Sequence, residues 1–155
     1  MSTTKYLLPD CLIGKCDAAK YAKWLHRKAR THVIRDRKRN IRTPCSISHY
    51  KAQIHAAVMA GGDRDFYSGE PLDWSLISAF ENAEAKTGRS QYKKKFWLLP
   101  TVDHIVDEAD RPTFVICSWG INDAKSDLTP EEFYSLCQKV LRNRDDKFKA
   151  SFVLT

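Results

Sequence analysis

The chain has 155 residues, of which 43% are hydrophobic and 29% charged, and a formal net charge of +7, a composition that suits one globular domain with its own core. No apolar run approaches the roughly 18 residues that cross a bilayer, and the N-terminus lacks a signal-peptide pattern. Five cysteines without a C-x-x-C pair argue against a disulfide scaffold or a zinc knuckle. We therefore expect a cytoplasmic protein that does not interact with membranes.

The positive charge is concentrated at the N-terminal end. Residues 1–60 contain 13 Lys and Arg against 3 Asp and Glu, a net charge of +10, whereas residues 61–155 contain 13 against 16, a net charge of −3. Such asymmetry points to a polyanionic partner, and in a chain without a membrane signal the first candidate is nucleic acid.

Residues 1–60 are predicted to form a basic helical region. Asp17 is placed to cap a helix that runs from Ala18 to about Arg39, with an apolar stripe at helical spacing. We expect its basic side to contact phosphates, although such a face can also be merely solvated. The basic residues predicted to bind nucleic acid here are Lys20, Lys23, Arg27, Arg30, Arg35, Arg37, Lys38 and Arg39.

A second helix is predicted from a cap at Ser46 or Ser48 to about Ala60, because Thr43-Pro44 ends the first helix and Gly61-Gly62 ends the second. The histidines of the two helices have no spacing that suits a metal site. We interpret them as surface or core residues: His26, His32, His49 and His55.

The middle of the chain is predicted to contain a short strand or turn over residues 66–72 and a helix over residues 74–86 with Ser75 as a possible cap. Three lysines, Lys93, Lys94 and Lys95, then lie among aromatic residues. This pattern can bind phosphates and stack bases, but Phe96 and Trp97 lead into a strand and are expected in the core.

Residues 98–128 have the pattern of strand, loop, strand and helix. Apolar and β-branched residues predict strands over 98–105 and 113–117, and Pro100 and Pro112 limit where each begins. After Gly120 the apolar residues recur three and four apart, so Asn122 and Lys125 occupy neighbouring positions of a short helix. A carboxylate, an imidazole, an amide and an ammonium group can converge here.

Asp103 and Asn122 offer the oxygen ligands that Mg²⁺ or Mn²⁺ prefers, and a neutral His104 can take a proton from water. Adjacent residues of a strand point to opposite faces, so Asp103 and His104 can share a site only at a strand end. The charged residues 107–111 favour such an end. The alternative is a surface hydrogen bond beside a solvated helix.

The run V-D-H-I-V at residues 102–106, followed by N-x-x-K-S-D at residues 122–127, resembles the motif of HNH (ββα-metal) endonucleases, most of all the HNH domain of RNA-guided CRISPR effector nucleases. This resemblance implies a ββα-metal core that acts on DNA. It implies that Asp103 and Asn122 are metal ligands, that His104 is the general base, and that Lys125 places positive charge near the phosphate.

Two further positions bear on the resemblance. Thr113 stands where the family has its middle asparagine, and we expect that position to be structural. Residues 66–72 resemble the turn that precedes the motif, where paired cysteines often hold zinc. Those cysteines are absent, so no structural zinc is expected.

Thr129-Pro130-Glu131-Glu132 is typical of a helix start, and the apolar spacing predicts a helix to about Arg142, followed by a polar link over residues 144–149. The whole is predicted to be one α+β domain: a basic helical region over 1–60, a ββα-metal core with a helical insertion over 61–128, and a C-terminal helix and tail over 129–155.

The predicted function is Mg²⁺- or Mn²⁺-dependent hydrolysis of DNA, with RNA as a possible substrate, in restriction, phage defence or mobile-element biology. One alternative is a nucleic-acid-binding module on the same scaffold without catalysis. Another is a structural protein whose basic helix contacts an acidic protein. The sequence leaves the oligomeric state open.

Overall fold

A computed structural model describes residues 5–40, 46–79, 91, 94–106 and 112–153. They form helices and a small antiparallel sheet, which confirms the predicted mixed α+β class. The chain divides into two compact units, Met1–Ala124 and Lys125–Thr155.

Helix α1, Ala18–Lys38, begins at the predicted cap: the Asp17 carboxylate accepts hydrogen bonds from the N–H groups of Ala19 and Lys20 at 2.8 and 3.1 Å. Leu25, Ala29 and Val33 of the predicted apolar stripe are buried in the core, while the basic side chains of α1 are exposed except for the half-buried Lys28. The buried apolar residues of α1 are Tyr21, Trp24, Leu25, Ala29 and Val33.

Helix α2, Ile47–Gly61, starts at Ser46, whose hydroxyl accepts from the His49 N–H at 3.1 Å, so the first of the two predicted caps is confirmed. Its buried residues, Tyr50, Ile54 and Val58, lie four positions apart and pack towards α1 and the sheet.

The sheet has two strands among the described residues, β1, Pro100–Val106, and β2, Pro112–Ser118, paired antiparallel. Asp103 pairs with Val115 and His104 with Phe114. Helix α3, Trp119–Lys125, follows β2 directly. The observed order is therefore strand, strand, helix, as predicted.

The segment between α2 and β1 differs from the prediction in two places. Residues Trp74–Ser78 form a 3-10 turn and not the start of an α-helix, and Asp73 caps it in place of Ser75; residues 80–86 of the predicted helix lie outside the described part of the chain. The core prediction is confirmed for Phe96, which is 1% exposed, and wrong for Trp97, which is 44% exposed. Both belong to a turn, in which neighbouring side chains diverge, rather than to a strand.

Helix α4, Pro130–Val153, forms the C-terminal unit. Thr129 and Glu132 make a reciprocal capping box: the Thr129 N–H donates to the Glu132 carboxylate at 2.8 Å, and the Glu132 N–H donates to the Thr129 hydroxyl at 3.2 Å. The predicted end near Arg142 is wrong, because the polar residues that follow include no Gly or Pro to stop a helix.

Gly120→Ala should destabilise the fold. A Cβ at Gly120 would lie 2.2 Å from the Trp97 ring, so the indole must shift, and we expect a loss of about 1 to 3 kcal/mol in the free energy of unfolding. Gly61→Ala is the matched control, since a Cβ there meets no atom within 4 Å. Urea titration followed by circular dichroism measures both, and equal stabilities for the two variants would contradict the packing described.

Candidate nucleic-acid interface

A cleft of about 280 Å³ lies between α1, the start of β1 and α3. Three cationic side chains line it, and no Asp or Glu is found among the described residues that do so. We call it the basic cleft. Its lining consists of Trp24, Arg27, Lys28, Thr31, His32, Arg35, Leu99, Pro100, Thr101, Val102, Trp119 and Asn122.

Helical periodicity builds one wall of the basic cleft. Trp24, Lys28, Thr31 and Arg35 recur at spacings of four, three and four residues, so they form a stripe along one side of α1. The side of α1 formed by these four residues lies next to the apolar residues that enter the core. It faces the first residues of β1 across the cleft.

Lys28 is the most constrained cation of the basic cleft. Its ammonium donates a hydrogen bond to the Thr101 hydroxyl at 2.7 Å. Burial, and then the neighbouring charge of Arg27, lower the pKa of Lys28 to about 8. A bound anion would offset both effects, because it supplies the counter-charge that the cleft lining lacks.

Two hydrogen bonds fix the walls of the cleft. The Trp24 indole N–H donates to the Pro100 carbonyl at 3.3 Å, and the Arg27 guanidinium donates to the Ile77 carbonyl at 3.2 Å. The first joins α1 to β1 and the second joins α1 to the 3-10 turn, so the cations are held on a rigid frame.

His32 is buried, with 4% of its surface exposed, in agreement with its interpretation as a surface or core residue. Its ring lies 5.3 Å from that of Phe114 and 5.8 Å from that of His104. Burial, and then the charge of Arg35, lower the pKa of His32 to about 3, and its Nδ1 atom has no hydrogen-bond partner. A neutral imidazole therefore lines the basic cleft.

The predicted base, His104, lies in a buried polar cluster. Its side chain is 2% exposed and stacks on the Phe114 ring at 5.1 Å. Its Nδ1 atom is 3.2 Å from the Asp36 carboxylate without meeting the angles of a hydrogen bond, and that carboxylate accepts from the Tyr50 hydroxyl at 2.5 Å. Burial lowers the pKa of His104, and Asp36 acts in the opposite direction.

Asp103 has a different environment from its neighbour. It is 7% exposed, and its carboxylate accepts a hydrogen bond from the Tyr67 hydroxyl at 2.5 Å. Strand β1 continues to Val106, one residue beyond the predicted end at residue 105, so Asp103 and His104 both lie within the strand and their side chains point to opposite faces. The strand end that would let this pair share one site is therefore not observed. Asp103 shares its face with Thr101, whose hydroxyl meets Lys28 in the basic cleft.

Sequence reasoning missed Asp65, which holds Tyr67 in place. Its buried carboxylate accepts from the N–H groups of Tyr67 and Ser68, at 2.7 and 2.8 Å, and from the Ser118 N–H at 2.5 Å. An Asp three residues before a Ser-Gly pair is a turn signal that could have indicated this role.

The structure brings some predicted residues towards the basic cleft and not others. Asn122 lines it, whereas His104 is not among its lining residues. Lys125 is the last residue of α3 and is buried. Thr113 is exposed and pairs with Ile105, while the loop it was expected to brace lies outside the described residues.

The donor chemistry of Asp103 and Asn122 suits a divalent metal ion. Asp103 and Asn122 supply a carboxylate and an amide oxygen, which suits a Mg²⁺ or Mn²⁺ that keeps several waters, and the Tyr67 hydrogen bond orients the carboxylate. Within the described ranges no group of three or more His, Cys, Asp or Glu is arranged to hold a metal ion. The Asp103 carboxylate and the Asn122 amide therefore fit a Mg²⁺ or Mn²⁺ ion whose remaining coordination positions are filled by water.

The other predicted phosphate-binding residues lie outside the cleft. On α1, Lys20, Lys23, Arg30 and Lys38 are exposed, as are Arg37 and Arg39 near its end. Lys94 and Lys95 are exposed as well, and Lys93 lies outside the described residues. Exposed cations are therefore present along the length of α1 outside the basic cleft.

Comparisons with family models, with curated proteins and with solved structures find no match to this chain. In the part of the chain that the structure describes, no helix is long and apolar enough to cross a membrane. The function therefore has to be inferred from the residues themselves.

His32 should make stability depend on pH. Since its folded pKa is about 3 against an ordinary 6.5, the unfolded chain binds more protons between these values, so stability is complete above pH 6.5 and falls as the pH is lowered towards 3. We expect His32→Leu to remove about 2 to 3 kcal/mol of the loss between pH 7 and pH 4. Urea unfolding at both values measures it.

His49→Gln is the control, because His49 is an exposed residue of α2. An identical pH dependence in the wild-type protein and His32→Leu would show that His32 is not a buried neutral imidazole.

Proposed function

We propose that the chain is a metal-dependent endonuclease of the ββα-metal type, which binds DNA along the basic cleft and α1 and hydrolyses a phosphodiester bond beside the cleft. The observation that supports it most is the basic cleft, where three cations and Asn122 meet at the start of the strand that carries Asp103.

The charge and the length of α1 support the proposed binding of DNA. Helix α1 has 21 residues, about 30 Å of helix, so its exposed cations can follow several phosphates of a DNA backbone. Each phosphate neutralised by Lys or Arg releases counterions, which provides affinity without sequence preference. Exposed Lys and Arg side chains are suited to phosphate contacts, so the binding we propose is directed at the backbone.

Hydrolysis is supported by the order of strand, strand and helix. Asp103 and Asn122 would hold the divalent ion, which when bound polarises the phosphate and stabilises the leaving oxygen. Tyr67 keeps the Asp103 carboxylate in one orientation, and Lys28 and Arg35 neutralise charge on the bound strand. Phe114 and the end of α1 surround the His104 ring in this structure. For His104 to take a proton from water, water has to reach that ring.

A second candidate function is binding without hydrolysis. The burial of the His104 side chain, at 2% exposed, favours it, since a general base has to contact the attacking water. His104 is not among the residues that line the basic cleft, so such a module would still bind DNA there.

Replacing His104 should slow cleavage strongly and leave DNA binding intact. We expect the wild-type protein to nick supercoiled plasmid with Mg²⁺ or Mn²⁺ and to stop in EDTA, and His104→Ala to be slower by about 10² to 10⁴ fold. His49→Ala, an exposed histidine of α2, is the control. His104→Gln keeps more of the volume, and circular dichroism verifies that both variants are folded.

Undiminished cleavage by folded His104→Ala would exclude His104 as the base. No cleavage by the wild-type protein with either ion, together with retained DNA binding, would favour the binding module instead.

Removing exposed cations of α1 should weaken binding uniformly across sequences. For Arg30→Ala and Lys38→Ala we expect lower affinity for duplex DNA, with the slope of log affinity against log salt reduced by about 1 per lost phosphate contact. Lys139→Ala, an exposed lysine of α4, is the control. Gel shifts over a salt series measure the slopes, and an absence of DNA binding even at low salt would leave an acidic protein as the partner of α1.

A further inference from the structure

We infer that the basic cleft binds the terminal phosphate group of a nucleic-acid strand, a phosphomonoester at a strand end, in preference to an internal phosphodiester of a duplex. The inference rests on the proposed function in that it takes nucleic acid as the ligand. It names the chemical group that enters the cleft and the residues that receive it.

Charge is the first reason. The cleft is lined by Arg27, Lys28 and Arg35 with no carboxylate among its described lining residues. A phosphomonoester carries a charge of about −1.5 to −2 at neutral pH, whereas each internal phosphate of a strand carries one negative charge. The three cations that line the cleft therefore suit a phosphomonoester better than an internal phosphodiester.

Hydrogen-bonding capacity is the second reason. The Lys28 ammonium has three N–H bonds, of which one is donated to the Thr101 hydroxyl at 2.7 Å, so two remain for a ligand. The Thr101 hydroxyl accepts that bond and can donate its own proton. Asn122 adds an amide to the lining. The Thr31 hydroxyl also lines the cleft, but its proton is donated to the Arg27 carbonyl at 2.9 Å. A terminal phosphate, with three non-bridging oxygens, can use more of these donors than a diester with two.

Burial around Lys28 adds to this. Burial and the charge of Arg27 lower the pKa of Lys28 to about 8. In the free protein the protonated ammonium therefore has too little negative charge around it to offset its burial. A dianion beside the ammonium would stabilise its protonated form, so electrostatic attraction would contribute a large part of the binding free energy.

Shape is the third reason. A volume of about 280 Å³ is at the lower limit of small-ligand pockets, enough for a phosphate and part of a nucleoside. Trp24 and His32, at 1% and 4% exposed, form a buried part of the lining, whereas Trp119 is partly exposed. A strand end can enter such a cleft, whereas the phosphates of a duplex are held along the outside of a stiff rod.

The test compares four ligands in EDTA, so that cleavage does not interfere: a short oligothymidine with a 5′ phosphate, the same strand with a 3′ phosphate, the strand without either, and a blunt duplex without terminal phosphates. Fluorescence anisotropy at one salt concentration gives the affinities. We expect at least one phosphorylated strand to bind about tenfold more tightly than the unphosphorylated strand and the duplex. The end that is preferred identifies the polarity of the bound strand.

Lys28→Met and Arg35→Gln should each reduce the preference for the phosphorylated strand to less than about twofold. Met replaces a partly buried ammonium by an apolar chain of similar length, so the fold should persist, and urea unfolding verifies it. Lys139→Met, which makes the same charge change at an exposed site of α4, should keep the preference.

Equal affinity for phosphorylated and unphosphorylated strands, equal affinity for the duplex, or an unchanged preference in folded Lys28→Met would each overturn the inference while leaving DNA binding intact. If none of the four ligands binds at low salt, the proposed function fails with it.

Discussion

The contact between α1 and the first residues of β1 forms the basic cleft, on which the proposed binding of nucleic acid depends. Trp24 donates to the Pro100 carbonyl and Lys28 to the Thr101 hydroxyl, so one side of a basic helix is held against the edge of the strand that carries Asp103. An ammonium group is drawn partly out of water by this contact, and no described acid in the cleft compensates it. The cationic character of the cleft is thus built into the packing of the fold, and is not only a matter of solvated surface lysines.

The buried polar cluster around Asp36 is the second constraint. An ionisable carboxylate with no exposed surface, two buried imidazoles and a buried tyrosine are costly in a domain of this size unless they are well paired, yet both ring nitrogens of His104 lack hydrogen-bond partners. Buried groups of this kind concentrate at functional sites. The cluster adjoins the basic cleft through His32, which lines the cleft and contacts the His104 ring. Chemistry and binding would therefore occur close together.

Local signals in the sequence predicted local structure well. Asp17, Ser46 and Thr129 begin helices where cap chemistry places them, because a side-chain oxygen and the backbone N–H groups it accepts are within three residues of each other. The mixed α+β class and the order of β1, β2 and α3 follow from periodicity. The exposure of Trp97 could not be predicted, because it depends on a turn at residues 96–98. The secondary-structure propensities of these residues favour a strand and do not indicate that turn. Nor could the cleft, which needs the distance between residues such as Lys28 and Thr101, 73 positions apart. The convergence of Asp103 with His104 required a strand end at that pair, whereas β1 pairs with β2 through Val106 and so directs the two side chains to opposite faces.

The most direct test of the account is to record the amide and side-chain NMR spectra of the protein during titration with a short single strand. If nucleic acid occupies the basic cleft, the largest shift changes should fall on Lys28, Thr31, Arg35, Thr101 and Asn122, with smaller changes along the exposed side of α1. Changes confined to α4, or to α2 and the far side of the sheet, with these five residues unmoved, would contradict it.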